Sequence, residues 1–234
     1  MKAVLFDFGG TIDTDGVHWS EKFWEYYEHF GVEITKNAYE EAFVQAENMI
    51  VKYADLPKLT FYKTLHKQFA LQFAALKMEN EGDLLKSMAD ACYKDVSSVV
   101  QKARRILEEL HQHLRLGVVS NFYGNLEVVC REFKLETLFR TVVDSAVVGI
   151  RKPDTAIWQL ALDNLAVRPA DAFVVGDSYE RDIVPAKTLG CSTVWLQGKS
   201  WTMPPSSDAA DHIIHKFEEL KKVVLPVRGG SPSS

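Results

Sequence analysis

Apolar residues follow two regimes along the chain, and the change falls near residue 114. Residues 3–6 (AVLF) form a short, continuous apolar run that stops at Gly9-Gly10, the pattern of a strand buried on both faces. From about 18 to 112 the spacing is helical. Trp19, Phe23, Tyr27 and Phe30 share one stripe and Gly31 ends it; further helices are predicted near 36–53, 60–77, 83–94 and 97–113. Beyond Leu114, short apolar runs at 115–119, 141–145, 172–175 and 192–196 alternate with helical segments at 124–133, 154–165 and 179–189. Ile213-Ile214 add the signal of one more short strand. Such alternation predicts an α/β fold with a parallel, doubly wound sheet. The AVLF run needs cover on both faces, so it belongs in that sheet, and the helical block becomes an insertion after the first strand. The Gly/Ser/Pro-rich tail 228–234 is predicted to be disordered.

Composition narrows the class. The chain has 234 residues, 47% hydrophobic and 25% charged, enough to bury a core without covalent staples. A net charge of −5 with no basic cluster argues against a nucleic-acid surface, so no nucleic-acid partner is expected. Cys92, Cys130 and Cys191 are odd in number and form no CxxC pair, which points to a reducing, cytoplasmic setting, and Cys130 and Cys191 are read as small core hydrophobes. The first apolar run is broken by Asp7 and is too short for a signal peptide. No run approaches the roughly 18 apolar residues of a membrane span. Nothing in the pattern specifies an oligomer.

Ligands of open parallel sheets bind beyond the C-terminal strand ends, and the chemistry-bearing residues fall there. Asp7-Phe8-Gly9-Gly10-Thr11 follows the first strand, Ser120-Asn121 the second, and Lys152-Pro153-Asp154 the third; Gly176-Asp177-Ser178, with Asp182 nearby, follows the fourth. A strand-end carboxylate such as Asp7 can attack phosphorus and form an aspartyl-phosphate. Gly9-Gly10 lets the backbone turn tightly and aim N–H groups at an anion. Thr11 and Ser120 offer hydroxyls to phosphate oxygens, and Lys152 offers positive charge to the transition state. Asp177 and Asp182 join Asp7 in the all-oxygen set that Mg²⁺ prefers.

In this order, FDFGGT (6–11), VVSN (118–121), GIRKPD (149–154) and VVGDSYERDI (174–183) resemble the haloacid dehalogenase superfamily. The helical insertion after the first motif resembles the cap of its C1 subgroup. The resemblance implies a Rossmann-like catalytic core, residues 1–13 plus 114–227, and an inserted α-helical cap, residues 14–113. It implies Asp7 as nucleophile, with Thr11, Ser120 and Lys152 holding the phosphoryl group; Gly10 and Asn121, at the same strand ends, are read as further substrate contacts. The metal would be Mg²⁺, held by Asp7, Asp177, Asp182 and the Gly9 carbonyl, and the substrate a small organic phosphate.

One position departs from the family's phosphatases, which carry a second Asp two residues after the nucleophile; here it is Gly9. That carboxyl would protonate the leaving alkoxide and then activate water. Asp13, Asp15 or His18 could take over that role. The departure also keeps two other readings open: a dehalogenase-like hydrolase, whose halide leaves without a proton, and a weakly active phosphate-binding protein. Ordinary readings stand beside these. Asp7 could close a strand-end turn, Ser120-Asn121 could cap a helix, and Asp182 could be a solvated first-turn residue. The aromatic stripe reads as helix core rather than substrate roof. Trp24 and Tyr26, off that stripe, could face the cleft or solvent.

Overall fold

The central strand β1 (Ala3–Phe6) is flanked by β2 (Arg115–Ser120) and β4 (Ala172–Gly176); β3 (Phe139–Asp144) lies outside β2, and β5 (Ser192–Leu196) and β6 (His212–Ile214) lie outside β4. All pairings are parallel. This is a computed structural model, and it describes residues 1–78, 81–201 and 206–225. The tail at 228–234, expected to be disordered, lies outside the described residues.

Side-chain alternation along β1 explains its place. Val4 and Phe6 enter one hydrophobic cluster, while Ala3 and Leu5 enter a second on the opposite face. The second cluster is completed by α7 (Thr155–Leu165) through Ile157, Trp158, Ala161 and Leu162. Full burial of each large side chain stabilises the fold by about 1.5–3 kcal/mol, so no register that exposes either face competes. Short helices α5 (Leu126–Glu132), α6 (Ser145–Val148), α8 (Val184–Thr188) and α9 (Leu220–Val224) complete the sheet side. Cys130 and Cys191 are free and buried, as expected of core hydrophobes, and so is Cys92.

Between β1 and β2 run α1 (Trp19–His29), α2 (Lys36–Ile50), α3 (Phe61–Ala75) and α4 (Gly82–His111). The two helices predicted at 83–94 and 97–113 are one. The reason is an unbroken stripe, Leu85, Met88, Ala89, Cys92, Val96, Val100, Ala103 and Leu107, with no Gly or Pro to interrupt it. Tyr26 faces neither cleft nor solvent: it is buried, and its hydroxyl donates to Asp95 at 3.1 Å. The helix predicted at 179–189 divides into a wide π turn, Tyr179–Ile183, followed by α8 with Pro185 in its first turn. That turn brings Asp182 back so that it accepts from the Ser178 N–H at 3.1 Å. No helix among the described residues is long and apolar enough to cross a membrane.

Candidate active site

Strand order reverses at β1, and the chemistry collects at the C-terminal ends of β1, β2 and β4. Asp7 continues the ladder one residue past β1, its N–H donating to Val175 O at 2.9 Å. Its carboxylate is buried. Oδ1 accepts from Lys152 Nζ at 2.5 Å and Ser120 Oγ at 3.2 Å; Oδ2 lies 3.2 Å from Thr11 Oγ1. Lys152 also donates to Asp182 Oδ1 at 2.7 Å and to Val119 O at 3.3 Å. Burial alone would lower the Lys152 pKa; Asp182 and Asp7 outweigh it and hold the ammonium above its ordinary value. Asp182 is therefore a full member of the cluster rather than a solvated helix residue.

Asp7, Asp177 and Asp182 each offer an oxygen, all within 4.8 Å of one another. Three carboxylates against one ammonium leave two negative charges over. Asp177 shows the cost: burial, then the charges of Asp7 and Asp182, push its pKa well above the carboxylate range. Burial likewise raises Asp182 to about 6. An all-oxygen set short of positive charge fits a hard divalent cation such as Mg²⁺.

The geometry sets Thr11 and Gly10, expected to contact phosphate, among the neighbouring acids. Thr11 is fully buried and does not line the cavity; its hydroxyl accepts the Asp177 N–H at 3.0 Å beside Asp7, so it ties the two acids together. The Gly10 N–H is not free for an anion, because it donates to Asp13 Oδ1 at 2.7 Å. Glycine is required at that position for another reason: φ is +95°, and a Cβ would sit 2.3 Å from Asp177 Oδ2. Asn121 lines the cavity, yet both ends of its amide are spent on Lys152, donating to its carbonyl at 3.0 Å and accepting from its N–H at 2.9 Å. It positions Lys152.

The three candidate acid/base residues separate. Asp13 is buried away from the cavity and also accepts from Trp19 Nε1 at 2.9 Å. Burial raises its pKa to about 7. Asp15 turns toward the sheet edge, accepting from the Phe217 N–H at 2.7 Å. His18 alone of the three lines the cavity. Its Nδ1 accepts from the Ser20 N–H at the start of α1, which leaves the ring proton on Nε2. Burial, then the Arg181 charge, lowers its pKa to about 4.

The cavity above Asp7 measures about 260 Å³. Trp19 and Phe23 of the aromatic stripe line it, so the part of that stripe nearest the sheet is wall as well as core. Glu47, Gln68, Tyr123 and Arg181 also line it and were not singled out from the sequence. A signal existed for one of them: Thr64, Gln68 and Gln72 interrupt the buried stripe of α3 at four-residue intervals.

An acid–lysine cluster at the strand ends of a Rossmann-like α/β sheet, beneath a cavity walled by inserted helices, marks the candidate active site. The chain belongs to the haloacid dehalogenase-like hydrolases, whose family model matches residues 1–190. It is 31% identical over 161 residues to haloacid dehalogenase-like hydrolase domain-containing protein 3 of Xenopus laevis, a match covering 64% of each chain. It is 32% identical over 158 residues to ribulose-1,5-bisphosphate 5-phosphatase of Halopiger xanaduensis, covering 61% of this chain and 64% of that one. The fold matches that of L-2-haloacid dehalogenase from Xanthobacter autotrophicus with a TM-score of 0.61 at 17% identity, covering 99% and 100% of the two chains.

Proposed function

We propose that the protein is a Mg²⁺-dependent phosphohydrolase acting on a small organic phosphate, with α1–α4 forming a cap of the C1 kind over a core of residues 1–13 and 114–227. The observation that carries this is the Asp7 carboxylate, held by Lys152 at 2.5 Å and Ser120 at 3.2 Å on the wall of a cavity it shares with Asp177 and Asp182. The phosphatase name of the Halopiger relative supports the same reading.

Asp7 attacks phosphorus; a bond forms from its carboxylate oxygen as the ester P–O bond breaks, giving an aspartyl-phosphate that water then cleaves. Lys152 and Ser120 fix the attacking carboxylate, and the Lys152 charge stabilises the phosphoryl oxygens as charge develops. Asp7, Asp177, Asp182 and the Gly9 carbonyl would hold Mg²⁺, which when bound neutralises repulsion between the anionic nucleophile and the anionic ester. The helical block excludes water from the cavity.

Gly9 leaves the alkoxide without its neighbouring acid. His18 lines the cavity, but with its pKa held at about 4 it is a neutral hydrogen-bond donor at pH 7 and a poor proton source. General acid catalysis contributes about 10²–10⁴-fold, or roughly 3–5 kcal/mol of barrier. Acyl and aryl phosphates, whose leaving groups need less protonation, should therefore turn over faster than alkyl esters. The test is a panel of phosphate esters spanning leaving-group pKa, with Mg²⁺ and with chelator, on wild type and Gly9→Asp. A Cβ at Gly9 meets only Trp19, at 3.5 Å, so the side chain has room to start. A steep leaving-group dependence, flattened by Gly9→Asp and abolished with chelator, is expected. No turnover of any phosphate would overturn the proposal.

A further inference from the structure

Glu47 of α2, Gln68 of α3 and Tyr123 of the loop after β2 form a polar cluster beside Phe23, Phe43 and Phe61 in the cavity wall. Glu47 Oε1 accepts twice, from Tyr123 Oη at 2.8 Å and from Gln68 Nε2 at 2.5 Å. Gln68 Nε2 also lies 3.0 Å from Tyr123 Oη. The second Glu47 oxygen has no hydrogen bond within the described residues, and Glu47 forms no salt bridge there. Gln68 Oε1 is buried without a partner. No hydrogen bond among the described residues joins this cluster to Asp7, Lys152, Asp177 or Asp182. Burial holds the Glu47 carboxyl above its ordinary range in spite of its two donors and the charges of Arg151 and Arg181.

Arg151 and Arg181 act on Glu47 only at longer range, and a largely buried carboxylate with no ion pair of its own is costly unless something completes its hydrogen bonding. What the cluster has in surplus is acceptors, so what it selects is a donor. The apolar wall beside it, Phe23, Phe43, Phe61 and Leu65, suits a hydrocarbon skeleton. We infer that Glu47, Gln68 and Tyr123 recognise the organic part of the substrate, and that the favoured phosphate carries a hydroxyl or ammonium donor at the end of a short carbon chain away from phosphorus. This rests on the phosphohydrolase reading of the Asp7 centre, which supplies the phosphate end. A rival role is mechanical, since the cluster joins two inserted helices to a sheet loop. Glu47→Gln separates the two. It keeps an acceptor oxygen for Tyr123 and Gln68 but removes the charge.

The experiment measures binding of three non-hydrolysable phosphonates of matched size to the wild-type protein with Mg²⁺ by calorimetry: butyl-, 3-hydroxypropyl- and 3-aminopropylphosphonate. At least one donor-bearing member should bind about tenfold or more tightly than butylphosphonate, and Glu47→Gln should shrink that preference. Which member wins identifies the donor. Equal binding of all three to wild type, failure of any to bind, or a preference unchanged by Glu47→Gln would overturn the inference. Hydrolysis of p-nitrophenyl phosphate is assayed in parallel. Turnover without discrimination leaves the phosphohydrolase reading standing alone; discrimination without turnover of any ester leaves the recognition cluster and removes that reading.

Discussion

Asp13 shows how one side chain can shape the site without reaching it. Its two oxygens take the Gly10 N–H and the Trp19 indole N–H, so it fixes both the turn after Asp7 and the first residue of α1. Burial raises its pKa from 3.8 to about 7, and the nearby Asp7 charge adds to that. The folded protein thus binds the Asp13 proton more tightly than the unfolded chain does. The stability this contributes is fully present below about pH 4 and is lost as pH rises through about 7. Three pH units correspond to about 4 kcal/mol at most. Asp13→Asn cannot ionise, so its unfolding free energy should fall less than that of wild type between pH 4 and pH 8. Urea titrations of both proteins across that range check this; parallel pH profiles would sink it. Asp13 stood out in the sequence as an acid close to the nucleophile. Its withdrawal from the cavity did not, because burial depends on where Trp19 packs.

Single residues also set how elements end, and Asp144 is the clearest case. At the end of β3 its carboxylate accepts from the N–H groups of Gly124 at 2.8 Å, Leu126 at 3.1 Å and Ala146 at 2.9 Å. It therefore caps its own helix, α6, and the start of α5, whose N-cap residue Asn125 makes no side-chain cap bond. The α5 cap follows the loop that carries Asn121 and Tyr123, so the same carboxylate steadies two residues of the cavity wall. Asp144→Ala would strand three N–H donors and should destabilise the protein by about 3 kcal/mol, read as a lower denaturant midpoint. A change under about 0.5 kcal/mol, the scale of an ordinary surface substitution, would refute the account. The strands and the first three inserted helices were legible because their periodicity is local. The division of residues 179–189 was not, because the wide turn is set by Asp182 reaching Lys152, a contact 30 residues away in sequence.

Across the whole molecule, the proposed metal site would tie stability to Mg²⁺. Asp7, Asp177 and Asp182 come from two ends of the sheet's central strand pair and outnumber Lys152. A cation that binds the folded state alone, at a hundred times its Kd, adds about 2.7 kcal/mol, a rise of roughly 5–10 °C in melting temperature for a chain of this length. Thermal melts should show that rise with Mg²⁺, its loss with chelator, and a smaller rise in Asp177→Asn. Identical melts with Mg²⁺ and chelator would count against the metal site. The sequence by itself determined the α/β class, the parallel sheet, the inserted helical block and the four strand-end motifs, because alternation and strand-end chemistry are written in neighbouring residues. Tertiary structure alone decided how those residues divide their work. Thr11 and Gly10 hydrogen-bond with the neighbouring acids, Asn121 with Lys152, and Glu47, Gln68 and Tyr123 meet at the cavity. Each hydroxyl, amide or N–H has few hydrogen bonds to give, and only the packed chain settles which neighbour receives them.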